Sequence, residues 1–217
     1  MPIQTQPGNN LLRVQVYDYL QNQMRIGALE PGASISVNTM IKELGVSRTP
    51  LREALLLLQE QGFVSILPQR GVTINLLNLG DVKDIYEILG GIESRVLISV
   101  FDRIGEQEIL KMQALNQQIE SALAKGDIVM HNQANIEFHD IFLNLSENHR
   151  LLRYVKVLKM QLYDFPRRDY GKQWNENNLE QHNQFITLIR AGKARETAEY
   201  MRDIHWEFDP PDSFKII

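Results

Sequence analysis

The sequence predicts a mostly α protein in two parts, an N-terminal winged helix-turn-helix followed by an all-α antiparallel helical bundle. Three observations carry that expectation. Three short helical runs, closed by Gly27, Gly45 and Gly62, fill the first 62 residues. Two β-rich segments follow, FVSIL at 63–67 and GVTINL at 71–76, joined by Pro68-Gln69-Arg70. From Asp81 onward the strand signal disappears and every segment repeats with a helical period. The division places residues 1–76 in one domain and 77–217 in the other.

The polar leader MPIQTQPGNN gives way to a first helix over Leu11–Ile26, where Leu12, Val16, Tyr19, Leu20 and Gln23 share a spacing. Pro31-Gly32 is a turn pair, after which Ser36 can cap a helix over Val37–Leu44 with Met40, Ile41 and Leu44 inward. Gly45 opens the stretch GVSRTPLREAL. Ser47 can accept from the orphan N–H groups of a helix running to Gln61, and Pro50 suits its first turn, where an N–H has no partner in the helix. Arg48 and Arg52, four apart, lie on one exposed side, while Leu51, Ala54, Leu55 and Leu58 supply the packing side. A helix built this way can enter a DNA groove, and the two β segments make a two-stranded wing beside it.

In the second part, Val82, Ile85, Tyr86, Leu89, Ile92, Val96 and Val100 mark a long helix reaching Phe101. Ile109, Met112, Leu115, Ile119 and Leu123 mark the next, ended by Gly126. Asp127 and Asn148 read as caps of two further helices, the second breaking at Pro166. Trp174–Ala191 and Lys193–Phe208 complete the bundle, hinged at Gly192. Gly90-Gly91 interrupts the long helix at a cost of about 1 kcal/mol per glycine, which a close helix approach or room for a ligand would offset.

Composition narrows the function classes. The 217 residues contain no cysteine, which removes disulfide frameworks, thiolate metal sites and cysteine nucleophiles. With no apolar signal core and no run of about 18 apolar residues, a cytoplasmic protein with no membrane partner is expected. The net charge is −4, but residues 1–76 carry six Lys/Arg against five acids. Bulk charge will not supply DNA affinity, which must come from the placement of a few arginines and from doubling the site.

The run RIGALEPGASIS…ELGVSRTPLREALLLLQEQGFVSILPQRGV resembles the DNA-binding domain of the GntR family of bacterial transcription regulators. The remainder resembles the FCD-type effector domain of its FadR-like branch, through IYEILGGIES, Phe138-His139, Ser146–Asn148 and EQHNQFITLIRAGKARETAEYM. The resemblance implies a homodimer on a palindromic double-stranded operator, with helical domains that sense a small-molecule effector, commonly an organic acid, often beside a divalent metal. Arg48 and Arg52 match the family's base- and phosphate-contacting arginines, with Ser47 and Thr49 as partners and Asn38 as a further contact. Arg70, beside Gly71 at the wing tip, is a candidate for the adjacent minor groove.

All five histidines lie in the second part. His139, His182 and His205 each border an inward stripe, and three such imidazoles plus an oxygen could hold Zn²⁺ or Ni²⁺. The chain departs from the family twice here: Asn135 replaces the usual aspartate ligand, and His205 stands one residue beyond the expected position, which Ile204 occupies. Leu89 replaces an arginine that would pair with an effector carboxylate. Glu93 one turn on, Arg95, Tyr163, Arg167 and Arg168 remain as effector-site candidates. A ligand-responsive regulator is the leading reading. Two others stay open: a metal-dependent helical enzyme with Glu137 or Glu180 as base, and an architectural dimer without effector. Hydrogen-bonded core histidines are the alternative to a metal site.

Overall fold

The computed structural model describes residues 9–68, 70–164 and 172–209. These divide into two compact units, 9–77 with 161–164 and 78–160 with 172–209.

In the first unit, α1 (Asn9–Arg25), α2 (Val37–Leu44) and α3 (Arg48–Glu60) enclose an apolar core with β1 (Ser34–Ile35), β2 (Val64–Leu67) and β3 (Gly71–Ile74). Val16 and Leu20 of α1 are buried, as are Leu51, Leu55 and Leu58 of α3 and Phe63, Val72 and Ile74 beyond it. Tyr17 on α1 donates to Gln61 Oε1 at 2.6 Å, tying α1 to the end of α3. Gln161 Nε2 donates to the Gln61 carbonyl at 2.7 Å, which is why the turn carrying it groups with this unit.

The expected two-stranded wing is a three-stranded antiparallel sheet of order β1-β3-β2. The added strand has two residues, too few to show an alternation. It is held because Ile74 exchanges backbone bonds with the residues just before the strand, Gly32 N to Ile74 O and Ile74 N to Ala33 O, each at 2.9 Å. Gly71 makes the pairing possible: at φ +98° a Cβ there would stand 2.7 Å from the Ile35 carbonyl oxygen. The serine caps are also corrected in part. Ser36 and Ser47 occupy the cap positions with extended backbone, yet neither side chain makes a cap hydrogen bond.

The second unit contains α4 (Leu79–Val100), a 3₁₀ turn (Phe101–Arg103), α5 (Glu106–Lys125), α6 (Ile128–Leu143), α7 (His149–Lys159), α8 (Lys172–Arg190) and α9 (Ala194–Tyr200). Asn78 and Asp81 start α4 with a reciprocal capping box, 3.0 and 2.7 Å. Asp127 and Asn148 cap α6 and α7 by accepting from Met130 N and Leu151 N. Two of these helices run on into π turns, α7 through Met160–Asp164 and α9 through Met201–His205. Leu89, Leu97, Met112, Ile119, Phe138, Phe142, Phe185 and Met201 fill the interior. Pro166, Arg167 and Arg168 lie outside the described residues. Among the described residues no helix is long and apolar enough to cross a membrane.

Gly90 and Gly91 separate cleanly. A Cβ on Gly90 would meet Trp206 Cβ at 2.9 Å and the Arg202 carbonyl oxygen at 3.3 Å, whereas one on Gly91 would meet nothing within 4 Å. Close helix approach is therefore the reason for the first glycine alone. Urea denaturation is expected to show Gly90→Ala destabilised by about 1–3 kcal/mol and Gly91→Ala stabilised by up to about 1 kcal/mol.

Candidate functional site

The exposed edge of α3 presents Ser47, Arg48, Thr49 and Arg52, while Pro50, Leu51, Ala54, Leu55 and Leu58 are buried on the opposite side. Arg48 Nη2 donates to Asn38 Oδ1 of α2 at 3.1 Å, so one exposed side chain steers another. Because the Ser47 hydroxyl makes no cap bond, the first-turn N–H groups of α3 keep their capacity to receive an anion. Arg70 is exposed in the turn before β3, and Gly71 is spent on the approach to Ile35.

The second unit gathers His139 from α6, His182 from α8 and His205 from the π turn after α9. Each offers a nitrogen, and these nitrogens lie within 4.8 Å of one another. The rings are 0%, 1% and 5% exposed, so no bulk water shares the load. Phe138 stacks on His182 with centroids 3.8 Å apart, walling one side.

Proton positions follow from the outer partners. His182 Nδ1 lies 3.0 Å from Asn116 Oδ1, and the Asn116 amide nitrogen donates to Asn183 Oδ1 at 2.7 Å, which fixes that amide with its oxygen toward the ring. His205 Nδ1 lies 3.1 Å from Gln181 Oε1, whose amide nitrogen is turned to the Ile204 carbonyl at 3.4 Å. His139 Nδ1 meets Glu93 Oε2 at 2.7 Å. All three Nδ1 atoms are thereby donors, and in neutral imidazole the Nε2 lone pairs must face inward. His139 Nε2 and His205 Nε2 stand 3.1 Å apart, and His182 Nε2 is buried with no hydrogen-bond partner. With all three rings neutral, three converging lone pairs fit a divalent cation; with His139 protonated, the His139–His205 pair is instead a hydrogen bond.

Glu93 anchors the arrangement. Its Oε2 accepts from His139 and from Trp206 Nε1 at 2.9 Å, and Lys159 Nζ lies 3.3 Å from Oε1 as an ion pair without hydrogen-bond geometry. Lys159 also reaches Asp140 at 3.2 Å. Burial alone would raise the Glu93 carboxyl, but the charges of His139 and Lys159 and the two hydrogen bonds hold it down at about 2. Burial and the neighbouring imidazoles lower His182 well below its ordinary value, and burial with the charge of His139 does the same for His205.

The displaced His205 finds its place through backbone geometry. From Met201 the helix widens to a π turn, with Trp206 N bonded to Met201 O at 3.0 Å. The wider turn absorbs one residue, leaving Ile204 44% exposed and His205 inside.

The effector candidates fare differently. Leu89 is fully buried and apolar, Glu93 is committed to His139, Trp206 and Lys159, and neither can receive an anionic group. Arg95, two residues beyond Glu93 and so about 200° around α4, is exposed. Tyr163 is buried in the turn that groups with the first unit. Asn135 is buried one turn before His139 on α6. Glu137 and Glu180 are exposed, the former bonded to Gln133 at 2.6 Å, so neither stands as a base at the buried nitrogens.

The model of the bacterial regulatory proteins of the gntR family matches residues 12–74, and that of the FCD domain matches residues 84–205. The chain belongs to the GntR family and carries an FCD domain. This GntR regulator is 26% identical over 201 residues to YdhC, an HTH-type transcriptional regulator of Bacillus subtilis, spanning 90% of this chain and 88% of that one. It is 29% identical over 175 residues to the Nta operon transcriptional regulator of Aminobacter aminovorans, covering 79% and 80%. Its fold is shared with the solved structure of McbR/YncC of Escherichia coli (TM-score 0.65, 24% identity, 88% of this chain and 94% of that). It is shared also with a GntR regulator of Rhodococcus sp. RHA1 (TM-score 0.70, 18% identity, 88% and 92%).

Sequence reasoning missed Asn116, Lys159, Gln181 and Trp206. Two of these had a signal: Asn116 continues the inward stripe of Met112 and Ile119, and Lys159 follows Val155 by one turn. Polar residues on an apolar stripe mark partners of a buried site.

With the pKa values of His182 and His205 depressed, the metal-free FCD domain should lose stability as pH falls below about 6.5, because the unfolded chain takes up protons that these two folded residues refuse. Glu93 adds a second loss between its ordinary 4.5 and about 2. Urea midpoints measured with chelator are expected to drop from pH 7.5 to 5.5, and less steeply in His182→Gln.

Proposed function

We propose that this GntR regulator binds a palindromic double-stranded operator as a homodimer, and that a small-molecule effector, held in the FCD domain with the help of a divalent metal, controls its operator affinity. The observation that carries the reading is the pairing, in one chain, of an exposed arginine edge on α3 with a buried set of inward-facing imidazole nitrogens.

On the DNA side, Arg48 and Arg52 contact base edges and phosphates, Asn38 holds Arg48 in position, and Ser47 and Thr49 meet a phosphate at the start of α3. Arg70 enters the neighbouring minor groove while Gly71 shapes the wing beneath it. Two copies double a site whose own domain carries little net charge.

On the effector side, His139, His182 and His205 hold the cation, Zn²⁺ or Ni²⁺ by the donor set. The cation supplies a Lewis-acid anchor for an effector oxygen, such as that of an organic acid. With Leu89 in place of a cationic residue and Lys159 already paired, neither of these side chains would add a second charge at that anchor. The switch itself requires that effector bind one arrangement of the dimer more tightly than another.

Duplexes selected from a random pool provide the test. In fluorescence anisotropy, Arg48→Ala and Arg52→Ala should each weaken binding by about 1–3 kcal/mol, with circular dichroism unchanged; full retention of affinity in both would remove α3 as the reading helix. Metal analysis of purified protein should find about one Zn²⁺ or Ni²⁺ per chain, lost in His139→Ala.

A further inference from the structure

Resting on the metal reading above, we infer that Glu93 is the positioning residue of the histidine site: it makes His139 the strongest of the three donors, with Lys159 and Trp206 holding Glu93 off the cation. The three outer acceptors are not equivalent. His182 and His205 lean on the neutral oxygens of Asn116 and Gln181, whereas His139 leans on a carboxylate at the shortest of the three distances, 2.7 Å against 3.0 and 3.1 Å. A negative charge on the Nδ1–H raises the electron density at Nε2, the atom that faces inward, and locks the ring and its tautomer.

The same carboxylate is buried, and a buried carboxylate beside a cation site is itself a competing ligand. Two contacts oppose that. Trp206 occupies Oε2 together with His139, and the Lys159 ammonium lies against Oε1. Lys159 is in turn fixed by Asp140. Glu93 therefore stays one atom shell away from the cation and acts on it only through His139. It also joins four segments, being carried on α4 while its partners come from α6, the end of α7 and the residue after the π turn. The other two outer acceptors, Asn116 and Gln181, carry no charge.

Full-length protein stripped with chelator and titrated with Co²⁺ and Zn²⁺ tests this. Glu93→Gln is expected to weaken binding by about 10- to 100-fold and to move the Co²⁺ ligand-field bands, with smaller losses in Asn116→Ala and Gln181→Ala. Glu93→Gln combined with Lys159→Met, which removes the cation left without its partner, should keep the fold and the weakened binding. Unchanged affinity and spectrum in both Glu93 variants, or losses in Asn116→Ala or Gln181→Ala as large as theirs, would overturn the inference while leaving the metal reading intact. Absence of Co²⁺ and Zn²⁺ binding to the unaltered protein, or binding that His139→Ala leaves unchanged, would overturn the metal reading and this inference with it.

Discussion

Two imidazole nitrogens stand 3.1 Å apart in a buried space, and a third faces the same space. The protein holds them there because every outer nitrogen is tied to an oxygen and each oxygen is fixed by something further out. Asn183 orients Asn116, the Ile204 carbonyl orients Gln181, and Trp206 with Lys159 orients Glu93. The helical unit is thus organised outward from the three histidines, and its buried polar residues are explained together rather than one at a time.

Much of the fold was legible because helices and turns announce themselves locally. Val37–Leu44 was bounded to the residue by its flanking serine and glycine, and Asp127 and Asn148 were read as caps from their position before apolar runs. The two-residue strand β1 was invisible, since it exists only through pairing with β3 and through the absence of a side chain at Gly71. The helix α5 was read with Leu115 and Leu123 inside, but the buried stripe runs through Asn116 and Ala122. An apolar bias in reading periodicity hid the very residue that orients His182.

At the site, residue type told more than spacing did. The three histidines were found by chemistry, while the helical wheel placed Ile204 and His205 about equally near the interior. A wheel assumes 3.6 residues per turn, so it cannot anticipate a turn of another width. The effector candidates were weaker because they were chosen by charge or proximity in sequence. Arg95 points out of the bundle that Glu93 points into, two residues apart on one helix.

The π turn at Met201–His205 can also be viewed as an insertion confined to a single loop of helix. In an unbroken α-helix one extra residue would rotate every later side chain by about 100°. Here the displacement is discharged within five residues, so the chain leaves the turn with an indole in reach of Glu93 and its backbone seated on Gly90. One widened turn thus sets both the facing of His205 and the neighbour that stands behind His139.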